Sequence, residues 1–431
     1  MIYRTLPVLG LFFVSTVSAL DYSGSIEASV AYSNAIDTLE KSELIYKPRI
    51  EFELSENSDV TIIGRVRADF EDIYERGEPR DANRSSANQR SFIGDDIEIE
   101  LLEAFIDMQL GDAWLRLGKQ KVVWGQADAV KVLDVLNPQS FREFILDDFN
   151  DRRTALWTVN AEMPVGDSTL QVVWIPDTTY FDLPESGGHF ALTSSRFIPT
   201  LPQNTPINSV PLDKPSHAIK DSDLGLRLFT FKSGWDLTLN YAYHYSDRPV
   251  VRRSFAGQSI EIRQRYERTH LIGSSFSNAF GAFALRGELG YSTDRYFLLN
   301  DNSDADGVYS SSEFSSVLGV DYTGLSYWLI TGEIFQSTLT DYNDASIRDK
   351  TDSIITLAAR RNLRNETLAL KASYLRSLND DDGLLQLSAN YQYSSEVELK
   401  AGLDIFHGDK NGVFGQFANR DRIALSVKVS F

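Results

Sequence analysis

Twelve residues, Asn302 to Glu313, carry the spacing of a calcium-binding loop. Asp304 and Asp306 fall at positions 3 and 5, Gly307 at the tight turn of position 6, and Glu313 at position 12. Oxygen donors at this spacing suit a hard divalent cation. Two features run against the pattern: Asn302 stands where Asp is usual, and the flanking segments read as strands, not helices. Asp, Ser and Gly are also ordinary material for a surface loop. A structural calcium on Asn302, Asp304, Asp306 and Glu313 is one expectation, an unliganded loop the other; nothing else in the chain asks for a cofactor.

No other residues have the spacing of a reactive centre. The five histidines, His189, His217, His244, His270 and His407, are scattered with no metal-ligand spacing. The absence of cysteine excludes disulfides and thiolate metal sites. There is no Gly-x-Ser-x-Gly, P-loop or dinucleotide fingerprint, so no catalytic residue is expected. With 61 acidic against 42 basic residues the formal charge is −19, which rules against nucleic acid, a partner that needs basic stripes. Such acidity favours cations in a pore or at an anionic surface, or serves simply to keep exposed loops soluble.

The elements that position these residues begin with an export signal. Arg4, the nine-residue apolar run Leu6 to Val14 and the small-residue site Val17-Ser18-Ala19 read as a signal peptide over 1–19, leaving one domain over 20–431. No later stretch approaches the roughly 20 apolar residues of a membrane helix. Instead a period of two dominates. Leu385, Leu387, Ala389, Tyr391 and Tyr393 alternate with Gln386, Ser388, Asn390 and Gln392, and similar runs recur at 235–246, 283–291 and 397–405. Each such run has one apolar and one polar face. The runs are longer than the roughly 5–6 residues of a soluble strand and match the roughly 9–11 of a tilted membrane strand.

Eighteen strands are expected, beginning near Tyr22, Leu44, Asp59, Ile97, Ala113, Thr154, Ser168, Asp223, Trp235, Ser259, Ala282, Ser312, Ser326, Ser353, Glu366, Gly383, Glu396 and Asp421, with 16 as the second choice. Long and short connections alternate between them, as in an outer-membrane barrel with short periplasmic turns and longer extracellular loops. The parity switch from Ile97, Ile99 and Leu101 to Leu102, Ala104 and Ile106 predicts a bulge near Leu101. The tenth strand is polar on both faces around 264–270 and is a candidate to stand above the membrane. Aromatic residues fall into two bands, Trp235, Phe283, Tyr391, Tyr393 and Phe431 at one end and Trp157, Trp174, Tyr243, Tyr245 and Tyr291 at the other. The expected fold is thus an all-β transmembrane antiparallel barrel.

Barrels of this size leave an aqueous channel unless loops fill it. Alternation points Lys47, Arg49, Arg65, Arg67 and Arg116 inward on neighbouring walls, with Glu98, Glu100, Glu103 and Asp107 between them. Later strands add Arg286, Glu288, Lys371, Glu398, Lys400 and Asp404. These rows either set a transverse field or pair off as salt bridges. Within 125–153, Asn137 can cap and Pro138 can open a short helix whose apolar face is Phe141, Phe144, Ile145 and Phe149. Folded inward, this loop would form a constriction through Phe141, Phe144, Asp147 and Asp148. The loop 177–222, with Phe181, Phe190 and Phe197 among its prolines, reads as a packed plug or an apolar mouth.

Three resemblances follow from residues already named. The final strand, Ile423 to Phe431, resembles the C-terminal strand of bacterial outer-membrane proteins, which implies recognition of Phe431 by the barrel assembly machinery. The segment Leu117-Gly118-Lys119-Gln120, Trp124-Gly125-Gln126 and Asn137-Pro138 resembles a family of large bacterial outer-membrane barrels with Gly-Arg-Gln, Trp-Gly-Glu and Asn-Pro steps. Here Lys119 replaces the usual Arg, and Gln126 the usual Glu. In strand number the chain also looks like the monomeric 18-strand substrate-specific porins. The resemblances imply a porin-type barrel of the bacterial outer membrane, in contact with its lipid and lipopolysaccharide. Its expected function is a channel for passive passage of small solutes; an uptake route for apolar molecules and a closed structural or receptor barrel are the alternatives.

Overall fold

The wall follows from what each side chain can touch. In Trp235–Tyr245, Leu237 and Leu239 are exposed on the outer surface, while Thr238 and Asn240 between them are buried inside. In Arg422–Ser430, Ile423, Leu425, Val427 and Val429 all face outward. A sheet with its apolar face outside is stable where lipid covers that face.

The computed structural model describes residues 20–73, 81–199, 205–256, 259–301 and 304–431. Its wall is built from β1 (Asp21–Ser33), β2 (Thr38–Ser55), β3 (Ser58–Asp69), β4 (Ile97–Leu110), β5 (Ala113–Gln120), β6 (Leu156–Val165), β7 (Ser168–Ile175), β8 (Asp223–Lys232) and β9 (Trp235–Tyr245). It continues through β10 (Arg268–Phe280), β11 (Phe283–Leu298), β12 (Val308–Tyr322), β13 (Trp328–Leu339), β14 (Thr351–Leu363), β15 (Leu368–Ser377), β16 (Gly383–Gln392), β17 (Val397–His407) and β18 (Arg422–Ser430). Each strand pairs antiparallel with the next, and β18 pairs back onto β1, from Ser25–Ser430 to Tyr32–Ile423. The ring is closed, so no strand edge meets lipid. A short segment, Ser91–Ile93, pairs only with β4.

Glu56-Asn57, Gly111-Asp112, Gly166-Asp167, Ser233-Gly234 and Gly281-Ala282 join their strands in two residues at one end. The other end carries the long connections 121–155 and 176–222. The expected count of 18 and the alternation of loops are therefore present in the fold. The bulge is present as well: the β3–β4 register shifts between Ile63 and Gly64, leaving Leu102 unpaired beside Leu101.

Two expectations are corrected. The tenth barrel strand is Arg268–Phe280, not a strand from Ser259. Residues 259–265 pair with Val250–Ala256 and, in parallel, with Ile207–Ser209, as a small sheet separate from the ring. No helix starts at Asn137 either. Among the described residues the one α-helical turn is α1 (Phe149–Arg152), behind Asp148. The Asn137 side chain is taken up elsewhere: its Oδ1 accepts from Val122 N–H at 2.7 Å and its amide donates to Thr154 O at 2.8 Å, clamping the two stems of the loop.

Buried apolar side chains lie inside the ring, under the loops. One cluster joins Val122, Trp124, Leu133 and Leu136 of the 121–155 loop to inward residues of β6–β10, Leu156, Val173, Ile175, Ala242 and Leu271. A second joins Phe144 and Phe190 to Leu375, Leu384, Phe406, Phe414 and Phe417. The signal-peptide segment 1–19 lies outside the described residues.

Candidate functional site

The 121–155 loop leaves β5 and crosses the lumen. Its root is fixed by Trp124, 1% exposed, whose indole N–H donates to Gln171 at 2.9 Å. The ring packs against Gly225 of β8, where a Cβ would collide with it. Next comes Gly125, at φ 80°, where a Cβ would strike the Glu288 carboxylate. The missing side chain lets Glu288 reach the backbone. Glu288, inward on β11 and fully buried, accepts the N–H groups of Gln126 and Ala127 with one oxygen and those of Val132 (3.2 Å) and Leu133 (3.1 Å) with the other. Glu333 of β13 accepts from Asp128 (3.1 Å) and Ala129 (3.3 Å). Arg286 binds Gln126 O at 2.9 Å and pairs with Asp128 at 2.6 Å and Glu333 at 2.9 Å. Backbone donors satisfied by buried carboxylates give charge-assisted bonds, stronger than neutral ones.

The tip of the loop reaches another arc of the wall. Phe144 sits at φ 53° with its ring centroid 4.7 Å from that of Phe417 and 6.1 Å from those of Phe406 and Phe414. Phe141 meets Phe181 edge-on at 5.0 Å. Glu143 pairs with Lys41 and Arg422, each at 2.7 Å. Asp147 lies 3.0 Å from Lys41, Asp148 lies 3.6 Å from Lys400, and Asp151 lies 2.8 Å from Lys47. Burial alone would raise the Asp147 carboxyl, but Lys41 and Arg67 outweigh it and hold it well below the usual carboxylate range. At Glu143 burial, with Asp147 beside it, raises the carboxyl. The acidic edge of the loop, Asp128, Asp148 and Asp151, thus faces wall cations.

The inward residues named from the sequence divide into two groups. Arg65 bridges Glu98 (2.7 Å) and Glu100 (2.5 Å), Arg67 pairs with Glu43 (3.3 Å), and Arg84, Arg90 and Arg142 add further pairs to Glu98 and Glu100. These groups are buried, and with Asp182 they stitch the loops 81–90, 121–155 and 176–222 to β3 and β4. Arg65, Arg67, Glu100 and Glu288 therefore hold loops and do not face open water. Arg49 pairs with Glu51 at 2.6 Å and Arg116 with Asp107 at 2.6 Å, both partly open. Lys47 and Lys400 face the acidic loop edge. Arg360, which the sequence reading missed, joins Lys371 and Lys400 on the same inner wall; only the face parity set by Thr356 and Ala358 marks it.

Three residues of the calcium pattern, Asp304, Asp306 and Glu313, are described, and they do not form a metal-holding group. Glu313 points into the barrel, where Arg295 (3.4 Å) and Arg348 (3.1 Å) hold it. Asp304 turns onto its own loop and accepts from Asp306 and Gly307. Among the described residues no three His, Asp or Glu side chains form a metal-holding group. Asn302 lies outside the described residues.

A closed ring of 18 strands with a lipid-facing apolar wall, its largest loops folded into the lumen, defines an outer-membrane β-barrel of porin type. Solved structures share the fold: OccAB3 of Acinetobacter baumannii (TM-score 0.53, 9% identity, covering 96% of this chain and 99% of that one) and OccK2 of Pseudomonas aeruginosa in complex with glucuronate (TM-score 0.53, 11% identity, 96% and 98%). No curated protein matches the chain by sequence. The family model described as "Protein of unknown function (DUF1302)" matches residues 43–346, and the chain belongs to that family.

Proposed function

We propose that the protein is a channel for the passive passage of small water-soluble solutes across the outer membrane. The carrying observation is the loop 121–155, fastened along β11 and β13 and presenting Asp128, Asp148 and Asp151 to Arg286, Lys400 and Lys47. Asp128, Asp151 and Asp148 touch these cations yet leave 66%, 51% and 74% of their side chains open, so they present charge to water in the lumen, where it selects and orients polar solutes. OccK2, of the same fold, is a precedent for a small polar ligand in such a barrel. Single-channel recording of refolded protein in planar bilayers, with and without calcium, is the test. Stable ohmic steps are expected, and silence from folded protein overturns the proposal. The second reading, uptake of apolar molecules, draws no accessible surface from Phe144, Phe190, Phe406, Phe414 and Phe417, which are packed on one another and at most 7% exposed. Permeation of a neutral aromatic but not of glucose into proteoliposomes would favour that reading.

A further inference from the structure

Two cations on one arc of the inner wall, Arg360 and Lys371, stand apart from the paired charges, and a third, Lys400, lies on the same wall. Arg360 on β14 lies directly opposite Lys371 on β15. Both share the inward face with Thr356 and Leu375, buried beneath the loops, while Leu357 and Leu370 on the other face are exposed to lipid. Like charges in directly opposed positions, with Cβ atoms roughly 4.5–5.5 Å apart, destabilise a sheet. Arg360 donates to Asn362 at 3.1 Å, and among the described residues no carboxylate pairs with it or with Lys371.

Lys371 is opposite Ser388 on β16, and Asn390 on that strand is opposite Lys400 on β17. Among the described residues Lys400 pairs only with Asp148, at 3.6 Å. Gly402, opposite Ser388, carries no side chain, so the floor between the cations is shallow and open. The Asn390 side-chain oxygen is buried and has no hydrogen-bond partner. The patch therefore offers two adjacent cationic donors for an oxyanion, a third cation beside them, and one acceptor awaiting a hydroxyl.

We propose that Arg360, Lys371, Asn390 and Lys400 form a lumenal binding site for small hydroxylated carboxylates, which rests on the channel reading and names its substrate class. A carboxylate between Arg360 and Lys371 relieves their repulsion. A hydroxyl on the same molecule supplies the donor that Asn390 lacks. Inorganic phosphate shares the oxyanion chemistry but presents no such neighbouring hydroxyl arrangement, so it should bind more weakly.

The test is calorimetric titration of the refolded full-length protein in detergent with glucuronate, glucose and inorganic phosphate. Saturable glucuronate binding is expected, with none for glucose and weaker binding for phosphate. Lys371→Glu places a carboxylate opposite Arg360; it should weaken glucuronate binding by about tenfold or more while leaving the melting temperature unchanged or higher. Arg360→Gln, which introduces no charge, should weaken binding similarly. Equal titration by glucose, displacement of glucuronate by equimolar phosphate, or unaltered affinity in both variants overturns the site. Titration in detergent needs no ion flow, so the two proposals fail separately. A protein silent in bilayers that still binds glucuronate loses the channel and keeps the site, and a conducting protein that ignores glucuronate does the reverse.

Discussion

Replacing Glu288 by Ala removes the acceptor of four loop N–H groups at once, those of Gln126, Ala127, Val132 and Leu133. Leaving a buried donor unsatisfied costs about 1–3 kcal/mol, so four cost about 4–12 kcal/mol if the loop stays in place. Burial of Val132 and Leu133 holds the same stretch with roughly 3–6 kcal/mol together. Over most of that range the penalty wins. The expected outcome is release of the 126–133 segment from β11 into water, with the barrel itself intact. Amide hydrogen exchange at these four residues reads the release directly. Their protection should fall by orders of magnitude while that of β11 itself is kept. In bilayers the same variant should show larger or flickering steps. Unchanged protection at all four amides would refute the assignment of Glu288 as the loop's anchor.

Three further outcomes are expected. Phe144→Ala should lower stability by about 3–5 kcal/mol through loss of a buried ring. Phe144→Gly should cost about 1 kcal/mol less than Ala because glycine tolerates the left-handed φ of 53°; denaturant unfolding of the pair checks the order. The Asp147 carboxyl, held below its ordinary value of 3.8 by Lys41 and Arg67 despite burial, contributes stability that is present above that value and lost as pH falls below it. Urea unfolding between about pH 5 and about pH 3 should show this contribution beginning to fall in the native protein, with the larger part lost at still lower pH, and Lys41→Met should remove much of the difference. Phe431→Ala should reduce the yield of heat-modifiable folded barrel on gels, since the Phe431 ring packs on Tyr22 (5.7 Å) and Tyr46 (6.4 Å) at the ring's closure.

The wall was legible because its physics is local. Alternate faces meet lipid and lumen, so strands, parity and the bulge at Leu101–Leu102 can be read from neighbouring residues. The tenth strand was misplaced because Val250–Ala256 and Ser259–Arg265 have a strand-like pattern of their own and pair with each other off the ring. Lumenal charges were legible in direction but not in partner. Arg142 meets Glu98 and Lys47 meets Asp151 only after the 121–155 loop folds inward. The helix at Asn137 failed for a related reason: its capping amide bridges Val122 and Thr154, the two stems of the loop. The Trp124-Gly125 step was visible as a motif; that its glycine admits the Glu288 carboxylate needed the opposite wall.

The seam between β1 and β18 also governs the order of events when the barrel forms. Ser25 must find Ser430, a contact of nearly the greatest sequence separation the chain allows. Such contacts form late because a long loop must close first. Until they do, β1 and β18 each expose a row of unpaired amides and carbonyls, a template for wrong partners. The incomplete sheet is thus most vulnerable to aggregation just before closure, while both edges are still bare.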